Sequence, residues 1–211
     1  RALVHFAVDT EEAHMATRLA GSSTYFLPFN RGMDGGAGNP PDRDGRNYKT
    51  AYLWEEVLQR DSLLDLLARF LHLDVEEKTT DDGKKVRKES LIFPRYHQLQ
   101  AVRQMVTAAA SEGAGHNYLV EHSAGSGKSN TIAWLAHRLS SLHNERDDRL
   151  FDSVVVITDR VVLDRQLQNT IYQFDHRQGV VQKIDEDSRQ LAEALEDGVP
   201  IIITTLQKFP F

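Results

Sequence analysis

A glycine-rich run with one lysine carries the clearest chemistry in the sequence. It reads Gly-Ser-Gly-Lys-Ser from Gly125 to Ser129 and follows a short apolar segment, Tyr118 to Glu121, that we predict to be a strand. Helical spacing of apolar residues begins directly afterwards, at Ile132 and Leu135. Glycines let backbone N–H groups turn towards an anion, and a lysine supplies a mobile cation. The run therefore predicts a phosphate-binding loop between a strand and a helix.

The loop predicts ATP and Mg²⁺ as cofactors. We expect Lys128 to contact the β and γ phosphates, as the residue that acts in catalysis, and the Ser129 hydroxyl to hold Mg²⁺. The strict motif has a glycine where this sequence has His122. A glycine-rich turn with a chance lysine is the structural alternative. The predicted nucleotide-binding residues of the loop are Ala124, Gly125, Ser126, Gly127, Lys128, Ser129 and Asn130.

A glutamine upstream of the loop is a candidate for recognising adenine. The segment from Phe93 to Ala101 begins a predicted helix about thirty residues before the loop, and Gln98 lies within it. An amide donates and accepts hydrogen bonds together, which suits the polar edge of adenine. We include Arg95 of this segment in the predicted nucleotide site. The alternative is an ordinary solvated glutamine on a helix surface.

Two further polar segments end apolar, strand-like runs. Asp159 and Arg160 follow the run 154–158, and Thr204 and Thr205 end the run 201–205. Because the carboxyl ends of parallel strands meet at one edge of a sheet, an arginine and hydroxyls there could contact phosphates. We predict that these four residues contact the DNA backbone. Alternatively, Asp159 and Arg160 only cap and neutralise the start of the next helix.

The elements around these motifs predict an α/β fold. Apolar runs at 118–120, 154–158, 180–184 and 201–205 alternate with helical stretches, and two of them are continuous, as in parallel strands covered on both faces. We therefore predict a three-layer α/β lobe with a parallel sheet over residues 94–211. The apolar faces predicted for its helices comprise Ile132, Leu135, Ala136 and Leu139, then Leu163, Leu167 and Ile171.

The first half of the chain has a different pattern. We predict strands at 3–8 and 24–29 whose sheet partners could lie upstream, so residues 1–48 would end an upstream α+β domain. The glycine- and proline-rich stretch between Asn30 and Asn47 excludes helix and strand, and is either a flexible connector or a shaped binding loop. Residues 49–93 are predicted as a helical linker with a charged hairpin turning at Asp82-Gly83. Its helices are expected at 49–58 and 62–72, with a buried stripe of Leu63, Leu64, Leu67, Phe70 and Leu71.

Composition excludes several classes of protein. With 40% hydrophobic and 27% charged residues, no apolar run of membrane-spanning length and no secretion signal, we expect a cytoplasmic protein without a membrane partner. The lack of cysteine excludes disulfides and cysteine-ligated metals, and the histidines show no metal-binding spacing. A net charge of −6 argues against a globally basic nucleic-acid binder but allows a few backbone contacts. The ends at Arg1 and Phe211 suggest a segment of a longer polypeptide.

These motifs, in this order, resemble the R subunit of type I restriction-modification enzymes. His122 stands where the generic loop motif has a glycine, and it is a hallmark of that family. The segments that carry the resemblance are Leu27–Gly32, Gly35–Pro40, Tyr52–Glu56, Leu63–Phe70, Phe93–Gln98, His122–Ser129, Thr158–Arg160 and Ile203–Lys208.

The resemblance implies a superfamily 2 helicase-like motor with a RecA-like lobe. Such a motor hydrolyses ATP to pull double-stranded DNA past a complex with modification and specificity subunits, in a bacterial or archaeal cytoplasm, and cleaves DNA when translocation stalls. The resemblance also implies that the nuclease residues, an acidic Mg²⁺-binding motif and a second lobe lie outside this sequence. Alone, the segment should therefore bind ATP weakly and turn over negligibly.

Three alternatives remain open on the sequence. One is another superfamily 2 protein, such as a type III restriction subunit or a remodelling motor. A second is a non-catalytic docking module whose charged hairpin and linker bind partner subunits, while the nucleotide loop only makes it more rigid. A third is a small-molecule kinase, which is disfavoured because the polar loops at the strand ends suit a polymer better than a small phosphate acceptor.

Overall fold

A computed structural model describes residues 2–42, 44–79, 85–158, 161–174 and 179–209. The chain divides into two compact units, Arg1–Gln100 and Ala101–Phe211. In the described residues it is a mixed α/β protein with two antiparallel sheets in the first unit and one parallel sheet in the second. The domain limits predicted from the sequence remain predictions.

The first unit opens with a small antiparallel sheet. Strands β1 (His5–Val8), β2 (Ala13–Ala16) and β3 (Leu27–Pro28) pair antiparallel in chain order. An aromatic cluster packs beside it. Phe6 and Phe29 meet edge-to-face at 5.3 Å between ring centroids, and Phe29 meets Tyr96 at 5.8 Å. Edge-to-face contacts of this kind add to the area that the rings bury.

The glycine- and proline-rich stretch is a shaped loop held by one buried amide. The Asn39 side chain accepts a hydrogen bond from the Arg31 N–H at 2.8 Å and donates to the Glu11 carbonyl and the Asn30 side chain, both at 2.9 Å. The Gly32 N–H donates to the carbonyl of Gly38, which closes the tip of the loop. The described residues of the stretch form neither helix nor strand, as predicted, and their contacts favour a shaped loop over a flexible connector.

The linker is less helical than predicted. A π-helical turn covers Leu53–Val57, where a helix over 49–58 was expected, and α1 covers Arg60–Arg69. The predicted buried stripe of α1 is wrong in part, because Leu66 and Phe70 are the buried residues while Leu64 and Leu67 are exposed. The leucines of this helix spread over about half of its circumference, which is wider than one buried face, so spacing alone does not select the buried residues.

The charged hairpin is confirmed. Strands β4 (His72–Thr79) and β5 (Lys85–Ile92) pair antiparallel from His72 opposite Ile92 to Thr79 opposite Lys85. Residues 85–89 are exposed, as expected of a solvated hairpin. The predicted turn at Asp82-Gly83 lies outside the described residues.

Helix α2 (Tyr96–Glu112) begins in the first unit and continues into the second, where a parallel sheet and three α-helices follow in the described residues. The helices α3 (Lys128–Ser140), α4 (Val161–Phe174) and α5 (Ser188–Glu196) alternate with β6 (Val154–Thr158), β7 (Val181–Lys183) and β8 (Ile201–Thr205). The strand order is β6-β8-β7, with both pairs parallel. The continuous apolar run of β8 is fully covered, as predicted for a central parallel strand.

Helices cover both faces of this sheet. Ile201 and Ile203 pack with Ala133 and Ala136 of α3 and with Leu167 and Ile171 of α4. Ile202 points to the opposite face, because side chains alternate along a strand, and packs with Leu191 and Ala194 of α5. The described residues of the second unit thus form three layers.

Two predictions for this unit are wrong. Residues 118–121 form no strand, and Leu119 is 92% exposed. No strand of the described chain pairs with this segment, and backbone N–H and C=O groups need such a partner to make a strand. The predicted face of α3 is wrong only in part, because Ala136 is buried and Leu135 and Leu139 are half-buried, whereas Ile132 is exposed and the unpredicted Ala133 and Trp134 are buried.

Candidate functional site

The predicted loop turns sharply into a helix. Gly125 and Gly127 have φ angles of 73° and 84°, in the left-handed region that glycine adopts without strain. Gly127 is the N-cap of α3, which starts at Lys128 and runs for 13 residues. The carbonyl of Gly127 accepts hydrogen bonds from the N–H groups of Asn130 and Thr131 at 3.1 and 3.3 Å. The first turn of α3 is thereby fixed directly behind the loop.

Lys128 folds back over the loop that precedes it. Its ammonium donates a hydrogen bond of 2.6 Å to the carbonyl of Ser123, and the Ser126 N–H donates to the same carbonyl at 3.3 Å. The side chain of Lys128 is exposed, so the cation lies at the surface of the loop beside the helix N-terminus. Sequence reasoning missed Ser123, because a backbone acceptor leaves no signal in residue types.

The remaining residues of the predicted loop lie in the turn before Lys128 or in the first turn of α3. Ala124 lies exposed in the turn, Ser126 is buried, and Ser129 and Asn130 are half-buried in the first turn of α3. A loop of this kind fits the phosphates of a nucleotide, because the glycines, the helix N-terminus and the ammonium all favour negative charge. The Ser129 side chain is the one candidate for an Mg²⁺ ligand that the sequence predicted here. No group of three or more His, Cys, Asp or Glu residues in the described chain could hold a metal ion.

His122 and Lys128 line one cavity of about 130 Å³. Burial lowers the pKa of His122 below its usual range, and the charge of Lys128 lowers it further, so the imidazole is neutral near pH 7. Thr131 also lines this cavity, and its other walls are apolar side chains: Ala101, Val102 and Met105 of α2, Val120, and Ile132 and Leu135 of α3. His122, Lys128 and Thr131 are thus the polar part of an otherwise apolar cavity in the second unit.

Gln98 lies in the first turn of α2 and is only 3% exposed. Its side-chain oxygen accepts a hydrogen bond of 2.8 Å from the Arg95 N–H, and the Arg95 carbonyl accepts the first helical bond from the Leu99 N–H at 3.0 Å. An N3 glutamine that bonds the N-cap N–H in this way stabilises a helix start. The predicted role of Gln98 and Arg95 in nucleotide binding remains a prediction beside this structural role.

The ends of β6 and β8 bring two threonines together. Thr158 and Thr205 are register partners on neighbouring parallel strands. The Thr158 hydroxyl is buried and has no hydrogen-bond partner among the residues that the structure describes. Thr205 is 8% exposed, whereas Thr204 is fully buried, so the Thr204 hydroxyl is not accessible to a DNA phosphate in this structure. Asp159 and Arg160 lie outside the described residues.

Lys208 follows in a 3₁₀ turn, Leu206–Lys208, after β8. Its ammonium donates to the carbonyls of Asp185, at 2.8 Å, and Glu186. The charge of Lys208 thus stabilises the connection between β7 and α5.

The chain resembles curated endonuclease subunits of type I restriction enzymes. It is 30% identical over 118 residues to the subunit of SauCOLORF180P from Staphylococcus aureus (strain COL), and 28% identical over 118 residues to that of SsaAORF53P from Staphylococcus saprophyticus. Each match covers 56% of this chain but 12% of the relative, so the chain spans a small part of those proteins. These matches confirm the resemblance that the motifs predicted. No solved structure matches the chain significantly.

Within the described residues, no helix is both long and apolar enough to cross a membrane. The family model of the SWI2/SNF2 ATPase matches residues 97–210, which is more than half of the chain. The match contains the glycine-rich loop, α3 and the parallel sheet. The chain therefore belongs to the SWI2/SNF2 ATPase family.

Proposed function

We propose that this chain is the ATP-binding, DNA-contacting part of the R subunit of a type I restriction endonuclease. The complete subunit would use ATP to translocate and cleave double-stranded DNA, with modification and specificity subunits, in the cytoplasm of a bacterium or archaeon. One observation carries the proposal. The Lys128 ammonium is folded over a glycine-rich loop at the N-terminus of a 13-residue helix, in a chain of this ATPase family.

Phosphate binding would follow from the way these residues interact with negative charge. Lys128 donates to the Ser123 carbonyl, and a bound phosphate oxygen would be a stronger, charged acceptor for the same ammonium. Backbone N–H groups at the start of α3 would bind the phosphates further. Mg²⁺, held through Ser129, would neutralise charge on the β and γ oxygens. The neutral His122 beside Lys128 adds a hydrogen-bond donor without adding positive charge.

The finer fold and the domain roles are part of the proposal. Residues 94–211 would form part of a RecA-like lobe, residues 49–93 a linker, and residues 1–48 the end of a nuclease-type domain. Gln98 and Arg95 would recognise adenine, and Asp159, Arg160 and Thr205 would contact the DNA backbone. Because Thr204 is fully buried, it would support the end of β8 from within.

The test removes the Lys128 ammonium by mutation in the complete subunit, which is assembled with its partners on unmodified target DNA. Lys128→Ala should lower ATP affinity and reduce DNA-stimulated hydrolysis by about 100-fold or more, as for the loss of one preorganised donor. Lys85→Ala removes an exposed lysine of the hairpin and serves as the matched control. Unchanged hydrolysis in Lys128→Ala, with the complex assembled, would refute the proposal.

A non-catalytic docking module is the second candidate, favoured by the exposed hairpin β4–β5. It makes the opposite prediction for Lys128→Ala, which would then leave hydrolysis unchanged. Charge reversal at Lys85, Arg87 and Lys88 together would prevent assembly.

A further inference from the structure

Two ionisable side chains, those of His122 and Lys128, line the cavity of about 130 Å³ behind the glycine-rich loop. Lys128 begins α3, and His122 stands six residues earlier, where the predicted loop starts. The Lys128 ammonium is bonded to the carbonyl of Ser123, which carries no formal charge, so this contact leaves the lysine a full cation. His122 therefore shares its cavity with one uncompensated positive charge.

The elements packed around His122 add no other ionisable group to the cavity among the residues described as lining it. Glu121 precedes His122 in the chain, but it is exposed and does not line the cavity. Apart from Val120 and the two ionisable residues, the lining comes from Ala101, Val102 and Met105 of α2 and from Thr131, Ile132 and Leu135 of α3. Lys128 is thus the charged neighbour that the cavity gives to this imidazole.

The charge state of His122 follows from these surroundings. Burial lowers the pKa of the imidazole, and the positive charge of Lys128 lowers it further, which favours the neutral form near pH 7. Phosphates bound at Lys128 would reverse the sign of the neighbouring charge, and a negative charge nearby favours the imidazolium. Bound nucleotide would also shield the ring from water, which acts in the opposite direction. Because His122 is already half-buried, we expect the reversal of charge to outweigh the added shielding.

We propose that His122 is a second cation of the nucleotide site, which takes up a proton when the phosphates of ATP bind beside Lys128. This inference rests on the proposed function and deepens it, because it adds one proton to the binding reaction. The generic loop motif has a glycine at this position, so loops that follow it have no side chain there to protonate. In this chain ATP affinity would depend on pH through one identified imidazole.

The direction of this dependence follows from proton linkage. The pKa of His122 would be higher with bound ATP than without it, so binding takes up protons at pH values between the two. The additional affinity is complete at pH values below both and is lost as the pH rises through the higher one. ATP affinity should therefore fall from about pH 6 to about pH 8, the range in which histidine usually changes charge.

The experiment measures ATP binding by the complete subunit, assembled with its partners and without DNA, using calorimetry at several pH values. Two buffers with different enthalpies of ionisation are compared, and the difference in heat gives the number of protons taken up. Excess Mg²⁺ keeps the phosphates of free ATP deprotonated over this range. His122→Asn and His122→Gln keep a polar side chain that does not protonate. His143→Asn, at an exposed histidine beyond α3, is the matched control.

We expect the wild type to take up a fraction of a proton near pH 7. Between about pH 6 and pH 8 it should lose about fivefold more ATP affinity than His122→Asn, since one pKa unit of difference between the bound and free protein corresponds to about tenfold in affinity. His122→Gln should behave like His122→Asn and replaces it if that variant does not fold. His143→Asn should keep the wild-type dependence.

Wild-type binding without proton uptake over this range would overturn the inference, whether or not the variants fold. Equal proton uptake in the wild type and the His122 variants would also overturn it, because another group would then accept the proton. Failure of the proposed function is distinguishable from both results, because the wild-type complex would then bind no ATP at any of these pH values.

Discussion

At the scale of single residues, the loop provides an acceptor for its own cation. The Lys128 ammonium is bonded to the Ser123 carbonyl, so on the proposed function ATP would replace that bond rather than meet an unpaired charge. Burial lowers the pKa of the neighbouring His122, which favours its neutral form and limits repulsion between the two side chains. The exchange of one acceptor for another would therefore give the proposed site its affinity for phosphate.

A second residue with a defined role is Asn39, whose amide holds the glycine-rich loop of the first unit. Asn39→Ala removes the three hydrogen bonds of this buried side chain and leaves the Arg31 N–H without its acceptor. We expect the free energy of unfolding of the first unit to fall by about 2–3 kcal/mol. Urea unfolding monitored by hydrogen exchange of residues 30–39 measures this change.

Asn117→Ala is the control for that variant, because Asn117 is an exposed asparagine. It should unfold at the same urea concentration as the wild type. If Asn39→Ala also unfolds there, the loop is held by other contacts and the interpretation of Asn39 is wrong.

At the scale of elements, α5 shows how local sequence fixes a helix start. The Asp187 carboxylate accepts hydrogen bonds from the N–H groups of Arg189 and Gln190, both at 3.0 Å. The Gln190 amide oxygen in turn accepts from the N–H groups of Asp185 and Glu186, at 2.9 and 3.0 Å. The pattern resembles a capping box, with aspartate and glutamine three residues apart, but Gln190 accepts from the two N–H groups that precede the N-cap Asp187 rather than from the N-cap itself.

Asp187→Ala should therefore destabilise the second unit by about 1 kcal/mol, since it leaves two N–H groups of the first turn unpaired. The shift of the thermal unfolding midpoint measures the loss. Asp197→Ala, at the exposed other end of α5, should be neutral or slightly stabilising, because a negative charge there opposes the helix dipole. Equal losses in both variants would show that the cap contributes nothing specific.

Elements also show why sequence predicts part of this fold and not the rest. The runs 154–158 and 201–205 and the helix behind the glycine loop carry their signal locally, in continuous β-branched residues and in helical spacing. The segment 118–121 has the same local signal but no partner strand among the described residues, so the prediction of a strand is wrong. Strand β2, Ala-His-Met-Ala, was missed because it lacks β-branched residues and forms through its pairing with β1.

Some parts of the candidate site could likewise be predicted from the sequence, and others could not. The loop and its lysine could be predicted, because residue types and spacing there determine the backbone. The hydrogen bond from His137 to the Ile171 carbonyl could not be predicted, since it joins residues 34 apart through a backbone carbonyl. The burial of Thr204 likewise depends on the strand order, which places β8 between two neighbours.

At the scale of the whole molecule, charge limits how the protein could hold DNA. The chain carries a net charge of −6, so its overall field repels a polyanion. Lys208, the cation that follows β8, is bonded to the carbonyls of Asp185 and Glu186. On the proposed function, DNA affinity would therefore come from a few local contacts, of which the predicted contact of Arg160 is the most direct.

The salt dependence of DNA binding by the assembled complex tests this view. Each phosphate neutralised by a side chain contributes about 0.9 to the slope of log affinity against log salt concentration. Arg160→Gln should reduce the magnitude of that slope by about 0.9 and weaken binding alike on specific and non-specific duplexes, because a backbone contact carries no sequence information. Arg146→Gln, at an exposed arginine before β6, should leave the slope unchanged. An unchanged slope in Arg160→Gln would mean that this arginine meets no phosphate, and that Asp159 and Arg160 only neutralise and cap the start of α4.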